Sequence, residues 1–263
     1  MLIALIPAHN EEHCIANAIK GLQSQTVRPD AIAVIGDNCT DRTLEVANLN
    51  GAETVGTLQN LDKKAGALNQ VLAKLLPNMS DSDYILVTDA DSKLDPEFVE
   101  HAIATLSHPE YGGVGGTFRG DPGGGFVGHL QRNEYARYAR DIRRLDGRCL
   151  VITGTAAVFP VRVLKEISAA RLKDGTPPSF LHEKSKGINK GRHTPLPSGD
   201  GEGGVYDTSV LTEDNELSFA IMHLGYKILA PKKCTLTTEV MPTWDALWKQ
   251  RVRWKRGAIE NCL

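Results

Sequence analysis

Two acidic residues, Asp89 and Asp91, follow a short apolar stretch in "ILVTDADSKLD" and have the spacing of a metal site. Carboxylates one residue apart supply hard oxygen ligands, which suit Mg2+ or Mn2+ and leave room for diphosphate oxygens. In open α/β sheets, ligands bind in the crevice beyond the carboxyl ends of the strands. On its own the pattern more often marks a solvated acidic turn, so the rest of the chain must decide.

A second acidic pair, Glu213 and Asp214, opens the helical pattern "EDNELSFAIMHLGY". A carboxylate near an acceptor hydroxyl can take its proton as the oxygen attacks, which is general-base chemistry. The alternative is structural, because acidic residues in a first turn stabilise the helix dipole. The sequence leaves both interpretations open at this point.

Two further segments have the character of ligand contacts. Lys63 and Lys64 precede a helix that begins with small residues, where a lysine can meet a phosphate or can simply be solvated. In "IGDNCTDRT", Asp37 and Asp41 lie at a strand-to-helix turn. Asp37 could accept a hydrogen bond from a base N–H, whereas Asp41 has the position of a helix N-cap.

The C-terminal stretch "WKQRVRWKRG" mixes cations with two tryptophans. Helical spacing separates Trp248 and Val252 from a second face that carries Gln250, Arg253 and Trp254. Arginine suits phosphate recognition and tryptophan stacks on sugar rings, so we expect the second face to turn inward. A basic amphipathic helix on a membrane surface or a partner is the competing interpretation.

These residues are positioned by strands that alternate with helices. In the first half the pattern predicts strands at Leu2–Ile6, Ala31–Ile35 and Tyr84–Thr88, and helices at Glu11–Leu22, Asp41–Leu49, Ala65–Leu76 and after Asp95, its predicted N-cap. Such alternation favours a mostly parallel sheet covered on both faces, in one α/β domain.

The second half has a different pattern. It predicts a long helix at Phe126–Leu145, a buried strand in "CLVITGTAAVF", a helix at Glu213–Leu224, two short strands and a final helix from Thr243. Between Lys173 and Asp207 the chain is rich in Gly, Pro, Ser and Lys without periodicity. This predicts a flexible insertion, which by position would gate the site.

Composition bounds the class of protein. The 263 residues carry a net charge of -2, which argues against direct nucleic-acid binding, since that needs an excess of cations. Five scattered cysteines without a C-x-x-C pair are typical of a reducing cytosol. The start "MLIALIPAHNEE" lacks a basic segment and no apolar run reaches membrane-helix length. We therefore expect a cytoplasmic protein without a membrane span, with peripheral attachment to a membrane as an alternative.

Taken together, the segments resemble family 2 glycosyltransferases of the GT-A fold. The similarity is to the processive branch of cellulose, chitin, hyaluronan and poly-N-acetylglucosamine synthases. It rests on "IPAHNEE", "GDNCTD", "KKAGALN", "DAD", "TGTAAVF", "LTED" and "QRVRW" in this order over residues 3 to about 257. The resemblance implies a Rossmann-like sheet in which residues 1–118 bind the nucleotide sugar and residues 119–263 bind the acceptor.

The resemblance also implies roles for the residues of the donor site. Ala8, Asn10 and Glu11 would lie at the first nucleotide-contacting loop, and Asp37 would hold the uracil. The residues implied at the diphosphate are Lys64, Asp89, Gln250 and Arg253, with Mn2+ or Mg2+ held by Asp91 and Asp89.

On the acceptor side the resemblance assigns the base to Asp214. Thr155 and Glu213 would lie by the acceptor, and Trp254 would form a floor for its sugar. The implied reaction is direct displacement with inversion, from UDP-N-acetylglucosamine or UDP-glucose to a glycan, protein, lipid or modified nucleic acid. A nucleotidyltransferase of similar fold and a non-catalytic glycan- or partner-binding relative are the alternatives.

The chain departs from this pattern in two places. It has Gly36, Asp37 and Asn38 where many relatives have a paired acidic motif, so one carboxylate is left to read the base. Processive relatives continue beyond "QRVRW" into membrane helices, whereas the sequence stops at Leu263. From the residues present, we expect a free-standing enzyme that uses a processive-type site on another acceptor.

Overall fold

The computed structural model describes residues 1–173 and 204–261. The insertion predicted between Lys173 and Asp207 therefore falls largely outside the described residues, and so does its predicted role as a gate. Residues 204–207 are described, and they have no regular secondary structure, which agrees with the predicted loop. Val205 and Tyr206 are only 2% and 6% exposed, because they pack into the core beside the helix that carries Lys64.

Within residues 1–173 and 204–261, ten strands form two sheets. In chain order, β1 to β10 span Leu2–Ala8, Ala31–Gly36, Glu53–Gly56, Tyr84–Thr88, Ser92–Leu94, Tyr111–Gly115, Thr117–Gly120, Ala156–Pro160, Lys227–Leu229 and Thr235–Thr238. The larger sheet has the order β3-β2-β1-β4-β8-β6-β9. Its strands are parallel except β8, which runs antiparallel to both β4 and β6. The predicted mostly parallel α/β sheet is confirmed.

A smaller sheet of order β5-β10-β7 lies beyond the carboxyl end of β4. In it β10 is antiparallel to β5 and parallel to β7. The register pairs Thr238 with Ser92, the residue after Asp91. The pairing therefore brings the end of β10 to the predicted metal site.

In the part of the chain that the structure describes, eight α-helices flank the sheets. In chain order, α1 to α8 span Ile15–Gln23, Thr43–Leu49, Lys63–Leu75, Phe98–Leu106, Gly125–Arg144, Val161–Lys173, Glu213–His223 and Trp244–Glu260. The helical spacing predicted for α1 is confirmed, since Ile15, Ala18, Ile19 and Leu22 are all buried.

The core has two layers because β1 is buried on both faces. All seven of its residues are buried, and alternate side chains point to opposite sides of the sheet. Leu5 packs into the layer formed with α3, α6 and α7, while Ile6 packs into the layer formed with α1 and α4. The strand therefore anchors both helix layers.

Two predicted N-caps are wrong. Asp95 is not the N-cap of α4, which begins at Phe98. Its carboxylate instead accepts from the Arg119 guanidinium at 2.7 Å and from the Thr235 hydroxyl, so it links β7 and β10. The N-cap of α2 is Arg42 and not the predicted Asp41, although the Asp41 carboxylate accepts from the N–H of Thr43, the first residue of the helix, at 3.0 Å.

Several elements were not predicted, namely β3, β5, β6, β7 and α6. Strand β6, with the sequence "YGGVG", gives a weak strand signal because three of its five residues are glycine. Its glycines are needed for packing, because a Cβ at Gly113 or Gly115 would lie 2.6 or 2.5 Å from the Ile152 side chain. Close contact with the segment before β8 therefore requires glycine, although glycine has a low propensity to form strands.

We find no helix among the described residues with the length and apolar character needed to cross a bilayer. The 20-residue α5 carries five arginines, each of which costs about 3 kcal/mol to place at the centre of a membrane. It packs on the small sheet instead, where Tyr135 meets Phe118 edge to face at 4.6 Å between ring centroids.

The two-layer core predicts a large cost for shortening β1 side chains. Leu5→Ala should lower the free energy of unfolding by about 2–5 kcal/mol, since Leu5 is 0% exposed and its loss leaves a cavity. Leu49→Ala is the matched control, because Leu49 is 77% exposed and should change stability by less than about 0.5 kcal/mol. Urea unfolding followed by circular dichroism measures both, and equal effects would contradict this account of the core.

Candidate functional site

Three predicted site residues meet beyond the end of β4. The Lys64 ammonium lies 2.6 Å from Asp89 Oδ1 and 3.3 Å from Glu213 Oε1. Lys64 is in the first turn of α3, Asp89 directly follows β4, and Glu213 begins α7. The structure therefore brings together segments separated by up to 149 residues along the sequence.

The backbone of Gly154 joins Asp214 to this cluster. Its N–H donates to Asp214 Oδ2 at 2.8 Å, and its carbonyl accepts from Lys64 Nζ at 2.9 Å. A Cβ at this position would lie 3.2 Å from both of those side-chain atoms. Glycine thus allows the two charged groups to approach the backbone from both sides.

Charge and burial shift the ionisation of this cluster. Burial alone would lower the pKa of Lys64, but the charges of Asp89 and Glu213 together raise it above its ordinary value. Burial, followed by the charge of Glu213, raises the pKa of Asp214 to about 6, although Lys64 and the Gly154 N–H oppose this. Lys64 is therefore a permanent cation, and Asp214 can gain and lose a proton near neutral pH.

Asp91 lies in a different environment from its neighbour Asp89. Its Oδ1 is contacted by the hydroxyls of Ser92 at 3.1 Å and Thr238 at 3.3 Å. Burial, followed by the charge of Asp89, raises the pKa of Asp91 to about 7. Asp91 is half-buried and has no cationic partner among the described residues, which fits a site that receives a cation with its ligand.

No group of three or more His, Cys, Asp or Glu side chains within residues 1–173 and 204–261 is arranged to hold a metal ion alone. Mg2+ commonly binds through one or two carboxylates together with substrate phosphates and water. Asp91 and Asp89 fit that mode, in which the protein supplies only part of the coordination.

The predicted nucleotide-contacting residues lie at the end of β1. Ala8 is buried and ends the strand, and Asn10 turns the chain with a φ of 58°. The Asn10 amide oxygen accepts from the Thr40 N–H at 2.8 Å, and the Glu11 carboxylate accepts from the Cys14 thiol at 3.0 Å. Asn10 and Glu11, which were both predicted to contact the nucleotide, therefore also stabilise the conformation of the loop.

Asp37 is buried at the end of β2, and its carboxylate is held firmly. Its Oδ1 accepts from the Asn38 amide at 3.0 Å, the Thr57 hydroxyl at 3.0 Å and the Asn60 amide at 2.8 Å. All three of these hydrogen bonds end on Oδ1, and no donor within residues 1–173 and 204–261 is bonded to Oδ2.

The residues predicted on α8 are placed differently from one another. Gln250 and Trp254 are half-buried, whereas Arg253 is exposed and does not have the inward orientation that we expected. The Arg251 guanidinium lies 4.2 Å from the centre of the Trp254 ring and also pairs with Glu134 at 2.6 Å. One face of Trp254 is thus already covered by a cation–π contact.

The other end of α8 is fixed next to the acidic pair. The Asn261 amide donates to the Thr212 hydroxyl at 2.7 Å and to the Thr212 carbonyl at 3.2 Å. A Cβ at Gly257 would lie 2.5 Å from Thr212, the residue before Glu213. The helix therefore packs closely on the start of α7.

Sequence reasoning found the charged residues but missed neutral ones. Thr155 was predicted, and its carbonyl accepts from the Asp89 N–H at 3.0 Å. Gly154 beside it was missed, although "TGT" was a visible signal. Tyr206, which lines the small cavity next to Lys64 and Asp214, and Asn60 were also missed. Both lie in segments without hydrophobic periodicity, so no pattern singled them out.

Comparisons with known proteins agree on one family. The profile of "Glycosyl transferase family 2" matches residues 3–168. Poly-beta-1,6-N-acetyl-D-glucosamine synthase of Staphylococcus aureus (strain COL) is 25% identical over 266 residues, which cover 98% of this chain and 55% of the synthase. The Staphylococcus epidermidis synthase of the same name is 24% identical with the same coverage. The chain thus spans about half the length of these relatives.

Two solved structures share the fold. Mannosyltransferase PcManGT from Pyrobaculum calidifontis, in complex with GDP-Man and Mn2+, has a TM-score of 0.64 at 15% identity and covers 99% of this chain and 62% of that one. Glucosyl-3-phosphoglycerate synthase from Mycobacterium tuberculosis, in complex with Mn2+ and UDP-glucose, has a TM-score of 0.55 at 18% identity and covers 100% and 79%. Since the family profile spans more than half of the sequence and the sheet matches these GT-A structures, the chain belongs to glycosyl transferase family 2.

Proposed function

We propose that this glycosyltransferase moves a sugar from a UDP-sugar to an acceptor hydroxyl by direct displacement, with a divalent metal ion and Asp214 as general base. The observation that carries the proposal is the continuous network from Asp89 through Lys64 and Gly154 to Asp214. It joins the acidic pair suited to a nucleotide diphosphate with a carboxylate suited to proton transfer.

The donor is inferred from the base end of the site and from the relatives. Asp37 presents one carboxylate oxygen to an N–H, which uracil carries at N3. The relatives are synthases of an N-acetylglucosamine polymer, and one structural neighbour holds UDP-glucose with Mn2+. These facts support UDP-N-acetylglucosamine or UDP-glucose as donor, bound mainly by residues 1–118.

Asp91 and Asp89 would hold Mn2+ or Mg2+ at the diphosphate. The ion would neutralise negative charge that develops as the diphosphate leaves. Lys64 adds a fixed positive charge at the same place, since it already contacts Asp89. Gln250 and Arg253 would approach the diphosphate from α8, and the exposed Arg253 side chain would have to turn towards it.

Asp214 would take the proton from the acceptor hydroxyl. As the acceptor oxygen forms its bond to the anomeric carbon, the bond from that carbon to the phosphate oxygen breaks and its electron pair leaves with UDP. One displacement inverts the configuration at that carbon. The Gly154 N–H fixes one oxygen of Asp214. Thr155, Glu213 and Trp254 would line the acceptor side, formed by residues 119–263, for a glycan, protein, lipid or modified nucleic acid.

The first prediction concerns the reaction itself. With Mn2+ or Mg2+, the protein should release UDP from UDP-N-acetylglucosamine or UDP-glucose, by hydrolysis or by transfer. Coupled detection of UDP measures this, and parallel detection of pyrophosphate tests the nucleotidyltransferase alternative. A folded protein that releases UDP from neither donor would overturn the proposal.

The second prediction concerns the metal. Asp91→Asn should remove the increase in UDP affinity that Mn2+ produces, because it replaces the carboxylate that lacks a protein cation. Calorimetric titration with UDP, with and without Mn2+, measures this apart from turnover. Asp141→Asn on α5 is the matched control, since Asp141 is exposed and pairs with Arg144 on the same helix. Undiminished metal dependence in Asp91→Asn would show that Asp91 is not a ligand.

The third prediction concerns the base. Asp214→Asn should lower kcat by a factor of about 100 to 10,000 while UDP affinity changes little, because only proton transfer is removed. In the unmodified protein the base must be ionised, so kcat should be full well above pH 6 and fall about tenfold per pH unit below the pKa of about 6. A variant that keeps its turnover, or its acid limb, would assign the base elsewhere.

A further inference from the structure

Asn60 occupies a place in the site that its sequence neighbourhood does not explain. It lies in the loop between β3 and α3 and is only 6% exposed, although the residues on either side are polar or exposed leucines. Leu58 and Leu61 in the same loop are 74% and 89% exposed. The loop therefore buries its amide side chain and leaves its apolar side chains in solvent, which reverses the usual preference.

Both polar atoms of the Asn60 side chain are hydrogen-bonded. Its Nδ2 donates to Asp37 Oδ1 at 2.8 Å and to the Lys63 carbonyl at 2.7 Å. Its Oδ1 accepts from the Asp62 N–H at 3.1 Å. A buried amide with every group satisfied fixes the groups around it, because moving any of them would leave a polar atom unpaired.

The loop around Asn60 is held in a conformation that the chain does not favour by itself. Gln59 and Lys63 have φ values of 46° and 51°, in the left-handed region that non-glycine residues rarely adopt. The Asn60 carbonyl also accepts from the Asn38 amide at 2.9 Å. Hydrogen bonds from both the side chain and the backbone of Asn60 thus hold the loop against this strain.

The helix beside the loop leaves space for this amide. Gly66 lies in the first turn of α3, and a Cβ there would be 2.1 Å from Asn60 Oδ1 and 2.8 Å from Asp62 Cβ. Alanine is the better helix former by about 1 kcal/mol, so glycine is present here for space and not for helix stability. Asn60 and Gly66 therefore act as one unit.

We propose that Asn60 is a positioning residue that sets base selectivity by fixing Asp37 with Oδ1 turned to the protein and Oδ2 turned to the nucleobase. The fixed Oδ2 accepts from a base N–H and repels a bare ring nitrogen. Uracil presents N3–H at the position where cytosine presents an unprotonated N3, so the arrangement selects UDP over CDP. Because Asn60 also donates to the Lys63 carbonyl, it connects Asp37, which would select the base, to the backbone beside Lys64. The inference rests on the proposed function and deepens it.

The test compares UDP and CDP binding in three variants. Asn60→Asp keeps the shape but places a carboxylate oxygen against Asp37 Oδ1 and the Lys63 carbonyl. Calorimetric titration with Mn2+ should show UDP affinity about tenfold weaker or more, with the preference for UDP over CDP reduced towards one. Gly66→Ala should change both quantities in the same direction by displacing the amide. Asn60→Ser is the third variant. It replaces Asn60→Asp if thermal unfolding shows that Asn60→Asp is not folded.

Two controls separate positioning from general damage. Asn78→Asp makes the same chemical change at an exposed asparagine that also donates to a backbone carbonyl, at 2.9 Å from Lys74 O. Gly56→Ala adds a methyl group where nothing lies within 4 Å. Both should bind UDP and CDP as the unmodified protein does. In turnover, the Asn60 and Gly66 variants should raise KM for the UDP-sugar while kcat stays within about threefold.

The outcomes distinguish this inference from the proposed function. An unmodified protein that binds no UDP overturns the proposed function, and the inference with it. An unmodified protein that prefers UDP, with folded Asn60 and Gly66 variants that keep the same preference and affinity, overturns the inference alone. A parallel loss of kcat and of affinity for both nucleotides would show a merely structural role, which also contradicts it.

Discussion

The ammonium group of Lys64 holds together side chains and backbone from three separate parts of the chain. It contacts Asp89 after β4, Glu213 at the start of α7 and the carbonyl of Gly154 before β8. Without it, neighbouring carboxylates would repel one another in a half-buried space, where charges are only partly screened by water. The position of α3 relative to the sheet thus determines whether the carboxylates of Asp89 and Glu213 can lie side by side.

The two acidic residues at this edge of the sheet, Asp89 and Asp91, have different hydrogen-bonding partners. Among the described residues, Asp89 has a cationic partner in Lys64, whereas the partners of Asp91 are hydroxyl groups and burial raises its pKa. The fold therefore balances the charge of one carboxylate and not that of the other. The strand pair β5 and β10 places the Thr238 hydroxyl beside Asp91. A half-buried carboxylate without a balancing charge favours a cationic ligand.

The sequence was enough to predict the mostly parallel α/β sheet and to single out most of the charged residues that gather beyond β4, because hydrophobic periodicity and charge are local signals. Asp214 and Lys64 could be identified in this way, but their connection through a glycine backbone could not. Strand β6 was not predicted because it contains Gly113 and Gly115, which are required by close contact with the Ile152 side chain. Arg253 was expected inward from helical spacing alone, yet the packing of α8 leaves it exposed. What could not be predicted depends on contacts between distant segments.

The role of Gly154 has a consequence for how such a site is studied. Gly154 contacts Asp214 through its main-chain N–H and Lys64 through its main-chain carbonyl, and every amino acid except proline possesses both groups. Replacing the residue changes bulk and backbone freedom but not those atoms, so a substitution scan records only a steric demand at this position. The electrostatic contribution would appear only when the peptide group itself is altered, for example by an ester in place of an amide. Side-chain substitutions therefore cannot measure how much this main-chain connection contributes to the function of the site.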